Sequence, residues 1–259
     1  MQFLFPSDYF SVKKPDEGFI DQVSCFRSAR FETSVISLEN LGTAASKIIP
    51  QPATDDPIVY RGWMLSAADY GTLVETVERT GCSMLISQDQ YLSTHYLPNW
   101  YGLINDLTPE TRFFSIEDDL EQALRCLGWD GFFIKDYVKS LKTSIGARIN
   151  DPAAIGMVIA EMEKFRGQIE GGICVRRLED FRVETEQRYF VLHGKVFAAD
   201  SNTKIPDIVL DCAKRISSPF FSVDAIDRAD GVQRIVEIGD GQVSDLVGWT
   251  AERFVQLWR

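Results

Sequence analysis

The first half of the chain alternates short apolar runs with segments of helical spacing. Apolar side chains recur at three- and four-residue intervals after Asp16, and again between Ser66, a residue typical of helix N-caps, and Gly81. The apolar runs are typical of short strands: QFLFP from Gln2, TSVISL from Thr33, IVYRGW from Ile58 and MLIS from Met84. This order of strands and helices predicts an α/β layer with a partly parallel sheet.

The second half predicts more strands. Its best-marked helix starts with Asp151 at the N-cap and Pro152 at the first helical position, and Gly167 ends it. Further helices are predicted from Asp118 and from Pro206. The strands are GFFIKDYVKS from Gly131, GGICVRRLEDF from Gly171, TEQRYFVLHG from Thr185, KVFAADS from Lys195, FFSVDAIDR from Phe220 and QRIVEIG from Gln233. The last two form a hairpin that turns at Ala229–Gly231, and YFVLHGKVFAA predicts another that turns at His193-Gly194.

Composition narrows the classes of function. The 259 residues carry a formal net charge of -11, which disfavours general binding to nucleic acids or anionic membranes. No apolar stretch is long enough to span a bilayer. Five separated cysteines without a CxxC pair indicate thiols in a reducing cytoplasm. Two histidines are too few for a histidine zinc site, so a metal would be Mg²⁺ or Mn²⁺ held by oxygen atoms.

Three carboxylates cluster around the C-terminal hairpin. Asp224 lies in the first strand and Glu237 near the end of the second, so the two can lie on neighbouring strands. Asp240 follows between two glycines. Carboxylates this close repel each other unless a cation lies between them, which predicts a Mg²⁺ site. The spacing also allows the alternative that the carboxylates point to opposite faces or are simply solvated.

Cations are interleaved with the apolar strands. Lys135 lies within the apolar strand FFIKDYV, where an ammonium group needs an anion. Glu186 and Arg188 share one face of their strand at period two. The other cations of these segments are Lys139, Lys142, Arg176 and Arg177. Any one of them could be a surface charge or a structural ion pair, but together they predict a basic pocket for a polyphosphate.

In this order, KDYVKSLK, ICVRRL, E-x-R and VEIGDGQVSDL resemble the ATP-grasp superfamily. The resemblance is specifically to its divergent R-2-K clade, which includes small bacterial and phage proteins and a eukaryotic initiation-factor assembly protein. It covers roughly Ile58 to Leu246, including the segment RGWML from Arg61. It implies an α/β (α+β) ATP-grasp fold of two lobes clasping ATP. The domains would be an N-terminal α/β domain at 1–125, on the substrate side, and an ATP-grasp domain at 126–259 with lobes at about 126–175 and 176–259.

The resemblance also implies roles for individual residues. ATP and Mg²⁺, or Mn²⁺, would be the cofactors. Arg188 would bind the γ-phosphate or an acyl phosphate, Glu186 would orient it, and Arg61 would contact phosphates or the acceptor. The phosphate contacts would be Lys135 with Lys139 or Lys142. The hinge between the lobes would be the strand Cys174–Leu178, which includes Arg176, with backbone groups of Arg177 and Leu178 contacting adenine. The metal ligands would be Asp224, Glu237 and Asp240. The usual E-x-N ending has Gly239 in the asparagine position, which leaves open whether one or two metal ions bind.

The implied reaction is ligation of a carboxylate to an amine through an acyl phosphate, giving an amide bond on a peptide, amino acid or protein. Two alternatives stay open: an ATP-binding assembly protein that does not ligate, and a phosphotransferase. The partners would be ATP and a small-molecule, peptide or protein acceptor. Neither nucleic acid nor membrane is expected as a partner, and the sequence carries no signature of an oligomeric state.

Overall fold

The computed structural model describes residues 1–53, 56–138, 147–166 and 169–259, except for the side chains of residues 165 and 166. Two compact units make up this part of the chain. The first consists of Met1–Thr94, Gln187–Val223 and Gly239–Arg259, and the second of His95–Glu186 and Asp224–Ile238. No single cut in the sequence separates them, and the boundary between residues 125 and 126 stays a prediction.

The first unit contains a five-stranded sheet with the order β3-β2-β1-β4-β5. β1 is parallel to β2 and to β4, β4 is parallel to β5, and β3 is antiparallel to β2. The predicted partly parallel α/β layer is therefore confirmed. Its elements are β1 (Gln2–Pro6), α1 (Ile20–Ser28), β2 (Glu32–Ile36), β3 (Ile48–Ile49), β4 (Pro57–Tyr60), α2 (Ala67–Glu78) and β5 (Ser83–Met84).

The second unit is built around an antiparallel sheet with the order β6-β9-β7-β8. One face of this sheet packs with buried side chains of α5 and α6, such as Leu124 and Val158, to form the core of the unit. α3 (Gln88–His95) ends the first segment of the first unit. The elements of the second unit up to β9 are α4 (Leu97–Ile104), β6 (Thr111–Phe114), α5 (Leu120–Leu127), β7 (Phe132–Asp136), β8 (Arg148–Ile149), α6 (Ile155–Arg166) and β9 (Ile173–Arg177).

A four-stranded sheet with the order β11-β10-β12-β13 follows in the sequence. β10 and β11 form the predicted hairpin, and both turn residues, His193 and Gly194, have positive φ, as tight hairpins require. The elements are β10 (Gln187–Leu192), β11 (Lys195–Ala198), α7 (Asp207–Arg215), β12 (Phe220–Asp227), β13 (Gln233–Asp240) and α8 (Ala251–Val255).

The helix signals read from the sequence are confirmed at their capping residues. The Ser66 side chain accepts a hydrogen bond from Asp69 N, and that of Asp151 accepts one from Ala153 N in front of a short 3-10 turn. Several strand predictions differ at their ends: MLIS overlaps β5 only at Met84, and GGICVRRLEDF extends beyond β9 on both sides. Among the described residues, no helix has the length and apolarity needed to cross a membrane.

Candidate nucleotide-binding site

One face of the antiparallel sheet in the second unit carries cations. In the register of β7 and β9, Phe133 lies opposite Arg176 and Lys135 opposite Cys174. On β8, Arg148 lies opposite Phe133. Neighbouring residues alternate between faces, and the other face of β7 and β9 supplies the apolar core of the unit. The strands therefore hold Lys135, Arg148 and Arg176 on a common face, opposite the core.

Lys135 is a buried cation with one carboxylate close by. Its exposed fraction is 3%, and its Nζ atom lies 3.7 Å from Oε1 of Glu237. Burial lowers the pKa of Lys135, and the charge of Glu237 opposes that effect. An ammonium group has three donors, so a phosphate oxygen can bind Lys135 together with Glu237.

Arg176 is the second buried cation, with an exposed fraction of 6%. Its Nη1 atom donates to the backbone oxygen of Val236 at 2.6 Å. Its Nε and Nη2 atoms have no hydrogen-bond partner among the described residues. Burial lowers the pKa of Arg176, and the Glu237 carboxylate opposes this too. Buried donors without a partner destabilise the fold unless an anion binds them. Nε and Nη2 of Arg176 therefore suit a phosphate group, which can accept both hydrogen bonds.

A cavity of about 180 Å³ lies beside Arg176. Phe133, Ile226 and Val236 give it apolar walls, while Arg148, Arg176 and Glu237 add charge. Apolar walls next to convergent cations suit a ligand with a flat ring and an anionic tail. The other lining residues are Arg177, Leu178, Glu179, Phe181, Val183 and Glu186, so the predicted hinge residues and Glu186 do border this cavity.

The predicted contact of adenine with the backbone of Arg177 and Leu178 stays a prediction, and the structure shows how their amide groups are bonded. The N–H group of Arg177 already donates to the carbonyl of Glu110 at 2.8 Å, and that of Leu178 donates to Gly131 at 3.1 Å. Neither amide is therefore available to a base unless these bonds break. The Arg177 side chain is half exposed and lies 3.8 Å from Glu110, away from the buried cations.

Asp224 and Glu237, two of the three predicted metal ligands, both lie in the second unit. Asp224 is 4% exposed and precedes Ile226 by two residues, so both point to the same face of β12. Carboxylate oxygens of this kind are the donors that Mg²⁺ prefers. Within the described ranges, however, no three His, Cys, Asp or Glu side chains are grouped as metal ligands. The three-carboxylate site therefore stays a prediction.

Asp240, the third predicted ligand, lies in the first unit and is fully buried. Its Oδ1 atom accepts hydrogen bonds from the backbone N and from Nε2 of Gln242, both at 3.0 Å, and its Oδ2 atom has no partner in the described structure. Burial raises the pKa of Asp240 to about 7, although the bonds from Gln242 lower it. These bonds fix the carboxyl group inside the core, and its role as a metal ligand stays a prediction.

The two arginines predicted to touch phosphate or acceptor also lie in the first unit. Arg61 is 2% exposed and donates to Oε1 of Gln22 at 2.8 Å and to the carbonyl of Gln242 at 3.0 Å. Burial lowers its pKa to about 10. Arg188 is half-buried and donates to the carbonyl of Asp245 at 2.9 Å. Arg61 thus holds the loop after Asp240 through hydrogen bonds to its backbone. Its contact with a ligand stays a prediction.

Sequence reasoning missed part of this site and named residues that the structure does not describe. Lys139 and Lys142 lie outside the described residues. Arg148 was missed because its strand has only two residues and carries no motif. Phe133 was predicted only as an apolar residue of a strand. Side chains of a strand alternate between two faces, but the sequence did not indicate which face of this strand would border a cavity.

The comparisons with known proteins agree with this geometry. The model of the ATP-grasp domain, R-2-K clade family 3, matches residues 126–257. None of the curated proteins matches the sequence. The solved structures that it resembles include the ATP-grasp ligase PsnB complexed with a minimal precursor, at 14% identity and a TM-score of 0.61 over 99% of this chain and 98% of that one.

Two further structures share the fold across the whole chain. D-cycloserine synthetase DcsG matches at 12% identity and a TM-score of 0.62, over 100% of this chain and 98% of its own. A RimK domain ATP-grasp protein from Sphaerobacter thermophilus DSM 20745 matches at 12% identity and a TM-score of 0.63, over 99% and 98%. PsnB has also been solved with Mg and ADP.

The family match spans half of the chain, and the described fold agrees with it. The predictions of an α/β ATP-grasp fold, of a ligase family and of ATP with Mg²⁺ as the cofactors of that family are confirmed. This chain belongs to the R-2-K clade of the ATP-grasp superfamily, in its family 3.

Proposed function

We propose that the protein is an ATP- and Mg²⁺-dependent carboxylate–amine ligase that forms an amide bond on a peptide, amino acid or protein. The observation that carries the proposal is the buried Arg176, which borders a cavity with apolar walls in the second unit and has two donor atoms without a partner among the described residues. The buried Lys135 lies on the same face of the sheet. The similarity to PsnB, solved with a precursor peptide, supports a peptide as the acceptor. The unpaired cysteines support a cytoplasmic location.

The reaction has two steps that balance without a nucleophilic side chain. An oxygen of the acceptor carboxylate attacks the γ-phosphorus of ATP, ADP leaves, and an acyl phosphate forms. The amine nitrogen then attacks the acyl carbon, phosphate leaves with the bonding electrons, and the amine loses a proton. Enzymes accelerate such steps by positioning the reactants and neutralising charge.

The residues of the second unit supply that positioning. Lys135 and Arg176 would neutralise phosphate oxygens, with the donor atoms of Arg176 aimed before the ligand arrives. Phe133, Ile226 and Val236 would hold the base and exclude water from it. Asp224 and Glu237 would hold Mg²⁺, which when bound neutralises charge on the transferring phosphoryl group. Glu237, already near Lys135, would then balance both the metal ion and the ammonium group.

The test measures nucleotide binding and turnover separately. We expect AMPPNP with Mg²⁺ to bind the wild type, and Arg176→Met to weaken that binding at least about tenfold, because one charge-assisted bond is worth about 1.5–3 kcal/mol. Arg182→Met is the matched control, since Arg182 is an exposed arginine of the same unit that is bonded to Asp227. If Arg176→Met binds AMPPNP as the wild type does, the nucleotide site is wrong.

Turnover then separates ligation from the alternatives. Phosphate release is measured with ATP, Mg²⁺ and pools of amino acids or peptides, and mass spectrometry looks for an amide product. A ligase releases phosphate only when both the carboxylate substrate and the amine substrate are present, and Glu237→Gln abolishes this release. Tight nucleotide binding without any stimulated turnover would instead support an assembly protein. A phosphorylated acceptor that accumulates without an amide product would support a phosphotransferase.

A further inference from the structure

Arg148 borders the nucleotide cavity, but no step of the proposed reaction uses it. It lies on β8, its side chain is exposed, and it lines the cavity of about 180 Å³ together with Phe133 and Arg176. Within the described part of the chain, its guanidinium group forms no ion pair and no hydrogen bond. Its five N–H donors are therefore free to bind a ligand that enters the cavity.

The pairing of the strands fixes the position of Arg148 relative to the other cations. Phe133 of β7 lies opposite Arg148 of β8 on one side and opposite Arg176 of β9 on the other. Side chains directly opposite each other share a face of the sheet, with Cβ atoms about 4.5–5.5 Å apart. Phe133 therefore lies between two arginines, and Arg148 is on the side away from Arg176.

The two arginines differ in their surroundings. Nη1 of Arg176 donates to the backbone oxygen of Val236, and the charge of Glu237 opposes the effect of burial on the pKa of both Arg176 and Lys135. Arg176 thus belongs to the group of charges that suits the phosphates. Arg148 is exposed and has none of these contacts, so it is left to the part of the nucleotide that lies over Phe133.

The apolar walls of the cavity cover the two faces of a flat ring. Phe133 comes from the sheet, whereas Ile226 and Val236 come from the β12–β13 hairpin. The hairpin faces the sheet here, since Arg176 reaches the backbone of Val236. A base between these side chains has only its edge left for polar contacts. The edge of adenine carries ring nitrogen atoms that accept hydrogen bonds, and a buried acceptor without a donor weakens binding.

Donors for that edge are limited on the side of the hinge. The N–H groups of Arg177 and Leu178 already donate to the carbonyls of Glu110 and Gly131. The Arg177 side chain, which also lines the cavity, lies 3.8 Å from the Glu110 carboxylate. The guanidinium group of Arg148 borders the same cavity without such a partner, so it can supply a donor to the base.

We propose that Arg148 donates a hydrogen bond to a ring nitrogen atom of the adenine base. This inference rests on the proposed function, because it needs the nucleotide in this cavity. It adds base recognition to a site whose buried cations recognise phosphate alone. Arg148 is then a residue that distinguishes a nucleotide from a bare polyphosphate chain, and the contact neither forms nor breaks a covalent bond.

The first test compares a nucleotide with a polyphosphate on the full chain. Isothermal titration calorimetry measures the Kd of AMPPNP and of tripolyphosphate, each with Mg²⁺, for the wild type and for Arg148→Met. Methionine keeps an apolar stem, and a change at an exposed position has little effect on folding. The Kd of AMPPNP should rise about tenfold and that of tripolyphosphate less than about twofold. An equal loss for both ligands would make Arg148 a phosphate contact and would overturn the proposal.

The second test removes the acceptor atom from the base. In 1-deaza-, 3-deaza- and 7-deaza-ATP, a C–H group replaces one ring nitrogen atom, and binding is measured without a carboxylate or amine substrate. One of the three analogues should bind the wild type about tenfold more weakly than ATP does, whereas Arg148→Met should bind that analogue and ATP equally. Three analogues that bind the wild type as ATP does, or the same discrimination in Arg148→Met, would overturn the proposal.

Arg125→Met is the matched control. Arg125 is a half-exposed arginine of α5, a helix that packs on the core face of the same sheet, away from the cavity. The control removes the same charge and should bind AMPPNP and tripolyphosphate as the wild type does. An equal loss of affinity in Arg125→Met and Arg148→Met would show an effect of net charge only, which contradicts a contact with the base.

Arg176→Met separates this inference from the proposed function. If the wild type does not bind AMPPNP, or if Arg176→Met binds it as the wild type does, the nucleotide site is wrong and the role of Arg148 is wrong with it. If Arg176→Met weakens binding of both AMPPNP and tripolyphosphate while Arg148→Met changes neither, only the inference about Arg148 is overturned.

Discussion

At the scale of single residues, Asp240 is the sequence prediction whose surroundings differ most from those expected. Burial raises its pKa to about 7, whereas an aspartate in an unfolded chain titrates near pH 4. The folded state therefore binds the proton more tightly. The contribution of Asp240 to the free energy of unfolding is therefore greatest below about pH 4, where the carboxyl group is protonated in both states. It falls as the pH rises and is lost once the pH passes about 7, where the buried group must carry a charge.

Asp240→Asn should accordingly be more stable than the wild type at high pH. Asparagine keeps an oxygen that can accept the bonds from Gln242 but carries no charge. In EDTA, we expect equal free energies of unfolding near pH 4 and an advantage of a few kcal/mol for the variant at pH 8. Urea denaturation at pH 4, 6 and 8 measures this.

Asp151→Asn is the control, because Asp151 is exposed and asparagine caps a helix equally well. It should keep the stability of the wild type in the same urea measurements, because asparagine keeps the capping bond to Ala153 N. A less stable Asp240→Asn variant at pH 8 in EDTA would contradict the expected burial cost. If Mg²⁺ then stabilised the wild type but not Asp240→Asn, Asp240 would be a metal ligand, as the sequence predicted.

At the scale of elements, the turn before β9 depends on glycine. Gly171 has a φ of +83°, and a Cβ there would lie 2.3 Å from the ring of Tyr137, the residue after β7. Gly171→Ala should therefore destabilise the protein by more than about 1 kcal/mol. Gly102→Ala in α4 is the matched control: nothing lies within 4 Å of its added Cβ, so it should stabilise by about 0.5–1 kcal/mol.

Thermal or urea unfolding of both glycine variants measures these effects. Because Tyr137 adjoins β7, which carries Lys135, AMPPNP affinity is measured on the same samples. The expected result is weaker nucleotide binding in Gly171→Ala alone. Equal stabilities of the two variants would show that the close packing against Tyr137 is not needed.

Also at this scale, the sequence predicted the elements with strong local signals. The Ser66 cap, the Asp151-Pro152 start and the hairpin at His193-Gly194 each act through the backbone of a few neighbouring residues, so local reasoning was enough. β3, β6 and β8 were missed because they are two to four residues long and exist through pairing with strands distant in the sequence. Tertiary contacts decide such strands, and no local pattern encodes them.

At the scale of the whole molecule, the order of the motifs predicted the family. It did not predict which of the site residues lie together in one compact unit. Lys135, Arg176 and Glu237 could be predicted because each stands in a motif, and the second unit brings all three together. Asp240 is only three residues beyond Glu237, yet the contacts of the fold assign it to the first unit. Which residues share a compact unit depends on packing between distant segments, which spacing in the sequence does not reveal.

The division into two units makes a prediction for the protein as a whole. A ligand slows hydrogen exchange where it suppresses local opening, and its total effect grows with ligand concentration over Kd. If the nucleotide binds to the cation face of the second unit, Mg²⁺ and AMPPNP should slow exchange in β7, β9 and residues 224–238. Exchange in α1 and α8, whose residues line a different cavity of about 340 Å³, should not change.

Hydrogen exchange followed by mass spectrometry measures this pattern, with Lys135→Met as the test variant. Methionine retains the apolar stem without the charge, so the variant should fold but lose the protection caused by nucleotide. Lys164→Met is the control and should keep that protection. Lys164 is an exposed residue of α6, the helix that packs against the apolar face of the same sheet. Protection confined to β1–β5 of the first unit, or equal protection in Lys135→Met, would place the nucleotide elsewhere, because a phosphate bound at Lys135 must hold β7 and β9 together.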